Sequence, residues 1–295
     1  MTSKLFKTLA LILASLYFAL HGFAATPKHD AFQVKVTGKG QPIILIPGAT
    51  CSGDEWNETV AHLSGKYQCH VLTLAGYAGT TPLQSGPYLE TFKTQVEQYI
   101  KDEKLNNVIL IGHSIGGFLS LCIATEMKDH LQKVVVVDAM PFFAEAQNPN
   151  APDTFSDAQA KKLLVMYEKM DDKTMLANQM SAAGFLCRDS TRWNTIAAWG
   201  AHSDKKTFAY TIAEMMSNDM RKKISGINIP VLVLAAYCKM PDYPGFTRES
   251  VVKTYSDQYN ACGKCTVHTT EDNARHFIMY DAPEWYYTEL DTFLK

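Results

Sequence analysis

The chain has 295 residues, 46% of them hydrophobic, with 28 Lys and Arg against 30 Asp and Glu for a formal net charge of −2. Such a length and apolar fraction can bury a large core, and one compact α/β domain with an insertion is the economical arrangement. The balanced charge leaves no basic footprint, which argues against nucleic acid as a partner.

Residues 1–24 read as a separate object. Lys4 and Lys7 precede an apolar run over residues 9–20, and Gly22-Phe23-Ala24 puts small residues at the two positions that a signal peptidase reads. A secretory signal peptide cleaved after Ala24 is expected, with the mature chain exported, periplasmic or secreted. The run is too short to span a bilayer comfortably, so no stable membrane span is expected after cleavage.

The mature part then alternates strands and helices. Residues 32–37 alternate apolar and polar side chains, as a half-exposed strand does. Gly38-Lys39-Gly40 turns into a buried strand over 42–46, followed by the loop Pro47-Gly48-Ala49-Thr50-Cys51-Ser52-Gly53 and a helix through Trp56, Val60 and Leu63. A third strand covers 70–74 and runs into a glycine-rich loop, 75–82. No Gly-Lys-Ser/Thr follows it, so it is not a phosphate loop. Residues 89–104 place Phe92, Val96, Tyr99 and Ile100 at helical spacing. The run Val108-Ile109-Leu110-Ile111 is a strand buried on both faces, and a helix follows from Phe118 to about His130. Residues 133–138 form another such strand, ending in Asp138.

From 141 to 227 the alternation stops. Helices are expected over 153–170, 173–183, 189–201 and 205–223, rich in Met, Phe and Trp. Residues 229–234 return to the sheet, 266–269 form its last strand and 283–295 a closing helix. The expected organisation is a core of residues 25–140 and 228–295 with helices 141–227 inserted. Seven cysteines, Cys51, Cys69, Cys122, Cys187, Cys238, Cys262 and Cys265, leave at least one unpaired. Cys262-Gly-Lys-Cys265 is either a tight local disulfide or a free pair at a strand start. It lacks the second ligand pair that zinc needs, and no metal or cofactor is expected.

Between strand and helix stands Gly112-His113-Ser114-Ile115-Gly116-Gly117. A strand turning sharply into a helix holds the corner residue in a strained conformation, and Gly112 and Gly116 remove side chains that would collide there. The turn lifts the Ser114 hydroxyl to a helix N-terminus, where free amides and the helix dipole favour developing negative charge. This is a nucleophile elbow, and the chain resembles the α/β-hydrolase superfamily. The resemblance implies a mostly parallel central sheet flanked by helices, with residues 141–227 as a helical cap.

A serine hydroxyl needs a base, and the superfamily's order Ser…Asp…His places it at His276, after the last strand. The resemblance makes His113 a brace of the turn. It also makes the amides of Ala49, in the loop after 42–46, and of Ile115 the oxyanion donors. The acid is the open position: the usual place after strand 231–234 falls on Lys239. Asp138, at the end of the strand next to the nucleophile helix, is favoured over Asp242, which serves only if its loop is lengthened. Two functions follow. One is a secreted serine hydrolase of a small ester, or an amide, through a Ser-His-Asp triad and an acyl-enzyme. The other is a barely catalytic sensor binding an apolar ligand under the cap.

Overall fold

A computed structural model describes residues 29–147, 154, 156–240 and 242–295. The expected signal peptide, residues 1–24, lies outside the described residues. Seven strands form one sheet: β1 (Phe32–Gly38), β2 (Gln41–Ile46), β3 (Tyr67–Leu74), β4 (Val108–His113), β5 (Leu131–Val137), β6 (Val231–Ala235) and β7 (Cys265–Thr269). Their order is β1-β3-β2-β4-β5-β6-β7. β1 runs antiparallel to β3, and every other pair is parallel.

The apolar runs are explained by burial on two faces. Alternate residues of one strand enter different cores: Ile44, Ile46, Leu110, Val134 and Val136 pack on one side with Phe92, Val96 and Phe118. Ile43, Leu45, Ile109, Ile111, Val135 and Val137 pack on the other with Trp56, Tyr286 and Leu290. A strand covered on both sides needs an apolar side chain at every position, which is why the two-residue period vanishes in β2, β4 and β5. The edge strand β1 alternates in sequence, but it is not the half-buried strand expected: Val34 and Val36 are exposed along with Gln33 and Lys35, because beyond Phe32 neither of its faces is covered.

The helices are α1 (Asn57–Leu63), α2 (Tyr88–Asp102), α3 (Ile115–Glu126), α4 (Phe143–Gln147), α5 (Asp157–Glu168), α6 (Asp172–Leu186), α7 (Trp193–Ala201), α8 (Lys205–Met216), α9 (Arg248–Tyr259), α10 (Ile278–Asp281) and α11 (Pro283–Leu294). Helices α4–α8 are inserted between β5 and β6. The side chains of Ser156, Asp171 and Asp204 accept from backbone amides at the starts of α5, α6 and α8 and fix where these begin. The helix expected over 205–223 ends at Met216. There Ser217 bonds back to Ala213 O, and Asp219 takes the Arg221 amide at 2.9 Å, offering the backbone an alternative to the helix. The segment 189–201 opens with a 3-10 turn, Ser190–Arg192, before α7.

The strand order reverses between β2 and β4, the neighbours from which successive connections depart in opposite directions. In such a sheet this opens a crevice at the carboxyl ends of the strands. Cys262 and Cys265 form a disulfide at the entry to β7, and the other five cysteines are free and buried. Among the described residues no helix is long and apolar enough to cross a membrane.

Candidate active site

The corner after β4 is as tight as its glycines require. Ser114 has φ 54° and ψ −120°, a left-handed backbone that side-chain-bearing residues adopt only under restraint. A Cβ on Gly112 would lie 2.1 Å from Gly116 O, and one on Gly116 would lie 2.2 Å from Ile46 O. The Ser114 amide is tied to Val137 O at 2.9 Å, which locks the corner to β5. Ile115 is the first residue of α3, so its amide is one of the orphan donors at the helix N-terminus.

Asp138 follows β5 and is also left-handed, at φ 47°, with its amide on Leu234 O at 2.8 Å. Its two oxygens are divided. Oδ2 lies 2.7 Å from His276 Nδ1, while Oδ1 accepts from Tyr255 Oη at 2.7 Å and from the Ala236 amide at 2.9 Å. The carboxylate is therefore oriented from α9 and from the end of β6 as well as by the histidine. Burial, and then the neighbouring Asp138 charge, push the Tyr255 phenol well above its ordinary range, so it stays protonated as a donor. Asp242 is exposed on the loop after β6, and the carboxylate against His276 is Asp138. The site needs no lengthened β6 loop, because the end of β5 already reaches the histidine.

The loop after β2 turns at 48–51, where the Cys51 amide donates to Gly48 O at 3.1 Å and Thr50 is left-handed at φ 64°. Ala49 stands at this corner and lines the cavity beside Ser114. Cys51 lines it too. Burial, and then the Glu55 carboxylate, hold its thiol well above the ordinary range, which leaves it a poor nucleophile. Glu55 itself is buried and hydrogen-bonds His113. For His113, burial opposes the charged form, but the Glu55 charge and hydrogen bond, Asp138 and the His276 carbonyl outweigh it, so the imidazole is held above its usual range.

Ser114, His276, Asp138 and Ala49 share one cavity of about 790 Å³. Its walls are mostly apolar: Met140, Phe143, Tyr167, Phe185, Phe208 and Met215 come from the inserted segment or its approach, and Met240 and Phe246 from the loop after β6. No Lys or Arg is among the described residues that line it. Nor, among the described residues, do three or more His, Cys, Asp or Glu gather as a metal site would.

Two contributors escape the sequence reading, Tyr255 and Glu55. Helix α9 is absent from the expected elements, although Thr247 and Ser250 form a reciprocal cap at its start and Val251, Tyr255 and Tyr259 bury at helical spacing beyond it. That signal is present in the sequence. Glu55 gives none, since its partner is 58 residues away in sequence.

A doubly covered, mostly parallel sheet, carrying a strained serine after its central strand at the point where the strand order reverses, defines the α/β-hydrolase fold. The chain belongs to the alpha/beta hydrolase family, whose model matches residues 43–289. It is 32% identical over 110 residues to a pimeloyl-(acyl-carrier protein) methyl ester esterase of Vibrio cholerae, a stretch covering 37% of this chain and 41% of that one. It is 28% identical over 126 residues to a non-heme chloroperoxidase of Kitasatospora aureofaciens, covering 41% and 46%. The chain thus matches less than half the length of these curated relatives. A crystal structure of a hydrolase from Pseudomonas aeruginosa superposes with a TM-score of 0.74 over 92% of this chain and 97% of that one, at 14% identity, which speaks for the fold alone.

Proposed function

We propose that the protein is a serine hydrolase of carboxylic esters working through an acyl-enzyme. Ser114 attacks the ester carbonyl while His276 takes its proton, and the amides of Ala49 and Ile115 hold the oxyanion. The alkoxide leaves with the proton from His276, and water, deprotonated by the same imidazole, releases the acid. Asp138 holds the imidazole in the tautomer that frees its other nitrogen and stabilises the imidazolium. One observation carries this reading: a histidine bonded at 2.7 Å to a half-buried carboxylate, both opening on the cavity that holds the strained serine. The esterase among the relatives supports the bond type.

The absence of lysine and arginine from the described lining favours an uncharged, apolar acyl or alcohol portion. A carboxylate-bearing substrate would have to leave its charge unpaired there. The sensor alternative rests on a missing acid after β6, and the Asp138–His276 contact supports the hydrolase reading over it. The test is p-nitrophenyl acetate hydrolysis by the purified chain and by Ser114→Ala: turnover that needs the serine is expected, and equal rates would end the enzyme reading. We also propose export, directed by residues 1–24. Fractionation of cells expressing the chain with and without that segment should find only the former outside the cytoplasm.

A further inference from the structure

A second histidine–carboxylate pair stands behind the proposed triad, and the chemistry above does not use it. His113 and Glu55 are each 1% exposed. His113 Nδ1 lies 3.0 Å from Glu55 Oε1, and its Nε2 lies 3.0 Å from the backbone carbonyl oxygen of His276. The other carboxylate oxygen, Oε2, accepts from the Gly48 amide at 3.3 Å, one residue before Ala49. Sealing an imidazole and a carboxylate from water is unfavourable unless their polar atoms are satisfied. Here they are, and the partners belong to three segments far apart in sequence: the loop after β2, the end of β4 and the loop before α10.

The chemistry of the acceptors fixes most of the protons. A carbonyl oxygen can only accept, so His113 Nε2 carries hydrogen. Nδ1 and Glu55 then share one further proton. The pair is packed as well as bonded: the rings of His113 and His276 are 4.5 Å apart, and a Cβ on Gly48 would come within 2.8 Å of His113 Nδ1. The residues around His276 are anchored in the same way. Ala274 donates to Tyr237 O at 3.1 Å, Arg275 to Asp281 Oδ2 at 2.9 Å and Phe277 to Leu186 O at 3.3 Å. The His113 bond completes this set at His276 itself.

We infer that Glu55 and His113 are a positioning pair that sets the backbone of His276, and with it the imidazole, against the loop carrying the Ala49 amide. The inference rests on His276 being the base of the proposed esterase. It differs from a general stabilising role in predicting that the bond to the His276 carbonyl matters more than the bond to Glu55.

The two ring nitrogens can be mimicked separately. In His113→Asn the side-chain amide reaches the Nδ1 position and loses the His276 carbonyl, whereas in His113→Gln it reaches the Nε2 position and keeps it. His113→Asn is expected to lower kcat by roughly 10- to 100-fold with KM changed less than about twofold, as a misplaced group does. His113→Gln should restore kcat to within about fivefold of the unsubstituted protein. The low-field proton resonance of His276 Nδ1–H against Asp138, read by NMR without substrate, should persist in the Gln variant and shift or broaden in the Asn variant.

Equal losses in both variants, tracking their thermal stability, would overturn the pairing role, as would an undisturbed resonance in His113→Asn. If the unsubstituted protein hydrolyses no ester, the esterase reading fails alone and the resonance decides the positioning. Should His113→Asn not fold, Glu55→Gln decides. Its amide can donate to a neutral His113 and its carbonyl accept from Gly48, so positioning predicts retained turnover. A loss beyond about tenfold would assign the role to charge instead.

Discussion

The strand ends and the inserted helices are built from different materials. At the strand ends every residue of β4 is buried, and the left-handed Ser114 and Asp138 are held by backbone bonds to β5 and β6. Strain of order 1–3 kcal/mol per residue persists only where the surroundings over-determine it. The inserted helices are looser. α5 buries only Ala160 and α6 only Met175 and Ala183, while Met166, Leu176 and Phe185 stay exposed. The proposed reacting groups are carried by the rigid part, and much of the cavity wall facing them by the adaptable part. The proposed function therefore predicts chemistry in one and selectivity in the other, and substitutions can test the division.

The largest effect is expected at the corner itself. Ser114→Ala should lower p-nitrophenyl acetate turnover by about 10⁴-fold or more, with an unchanged circular dichroism spectrum. Next, Asp138→Asn should reduce kcat by roughly 10⁴-fold, the loss seen when a triad histidine is held in the wrong tautomer, whereas Asp242→Asn should stay within about twofold. A reversed ranking of these two carboxylates would move the acid to the β6 loop and detach it from the rigid part.

The same division explains what can be read from the sequence. β2, β4 and β5 are legible because a strand covered on both faces must be continuously apolar, and the elbow because only glycine fits at 112 and 116. Asp138 is legible as the cap of the strand beside α3, although its contact to His276 spans 138 residues. Glu55 is not: in sequence it is one acidic residue in a turn, and its burial depends on a histidine from another strand. α9 escapes notice because its polar sequence hides its buried stripe. The inward residues of α5 and α6 are unreadable, because apolar side chains fall on every side of these helices, with Leu163, Leu164, Val165 and Met166 consecutive in α5.

Scaffold rigidity can be broken without touching a reacting group. Gly116→Ala would bring a Cβ to 2.2 Å from Ile46 O and 2.7 Å from Pro47 O, both backbone atoms that cannot step aside. A destabilisation of about 3 kcal/mol or more is expected, read as a lower urea midpoint. A smaller, pH-dependent effect concerns His113, whose imidazole is held above its ordinary range in the folded chain. Its contribution to stability is full below the unfolded value of about 6.5 and is lost as pH rises through the raised folded value. Urea midpoints of the unsubstituted protein should therefore fall over that window more than those of His113→Gln.

The smallest effect should come from the soft part. Phe185 is 55% exposed yet lines the cavity. A lining ring that is this exposed to solvent is expected to cover the far end of a long acyl chain and to have nothing to cover on an acetyl group. Phe185→Ala should leave kcat/KM for the acetate ester within about twofold and lower it for an octanoate ester by roughly three- to tenfold, through KM, since each methylene left in water forfeits about 0.8 kcal/mol at most. A uniform loss of kcat for both esters would mean that the inserted helices position the reacting groups as well as the substrate, and the separation between rigid chemistry and adaptable selectivity would not hold.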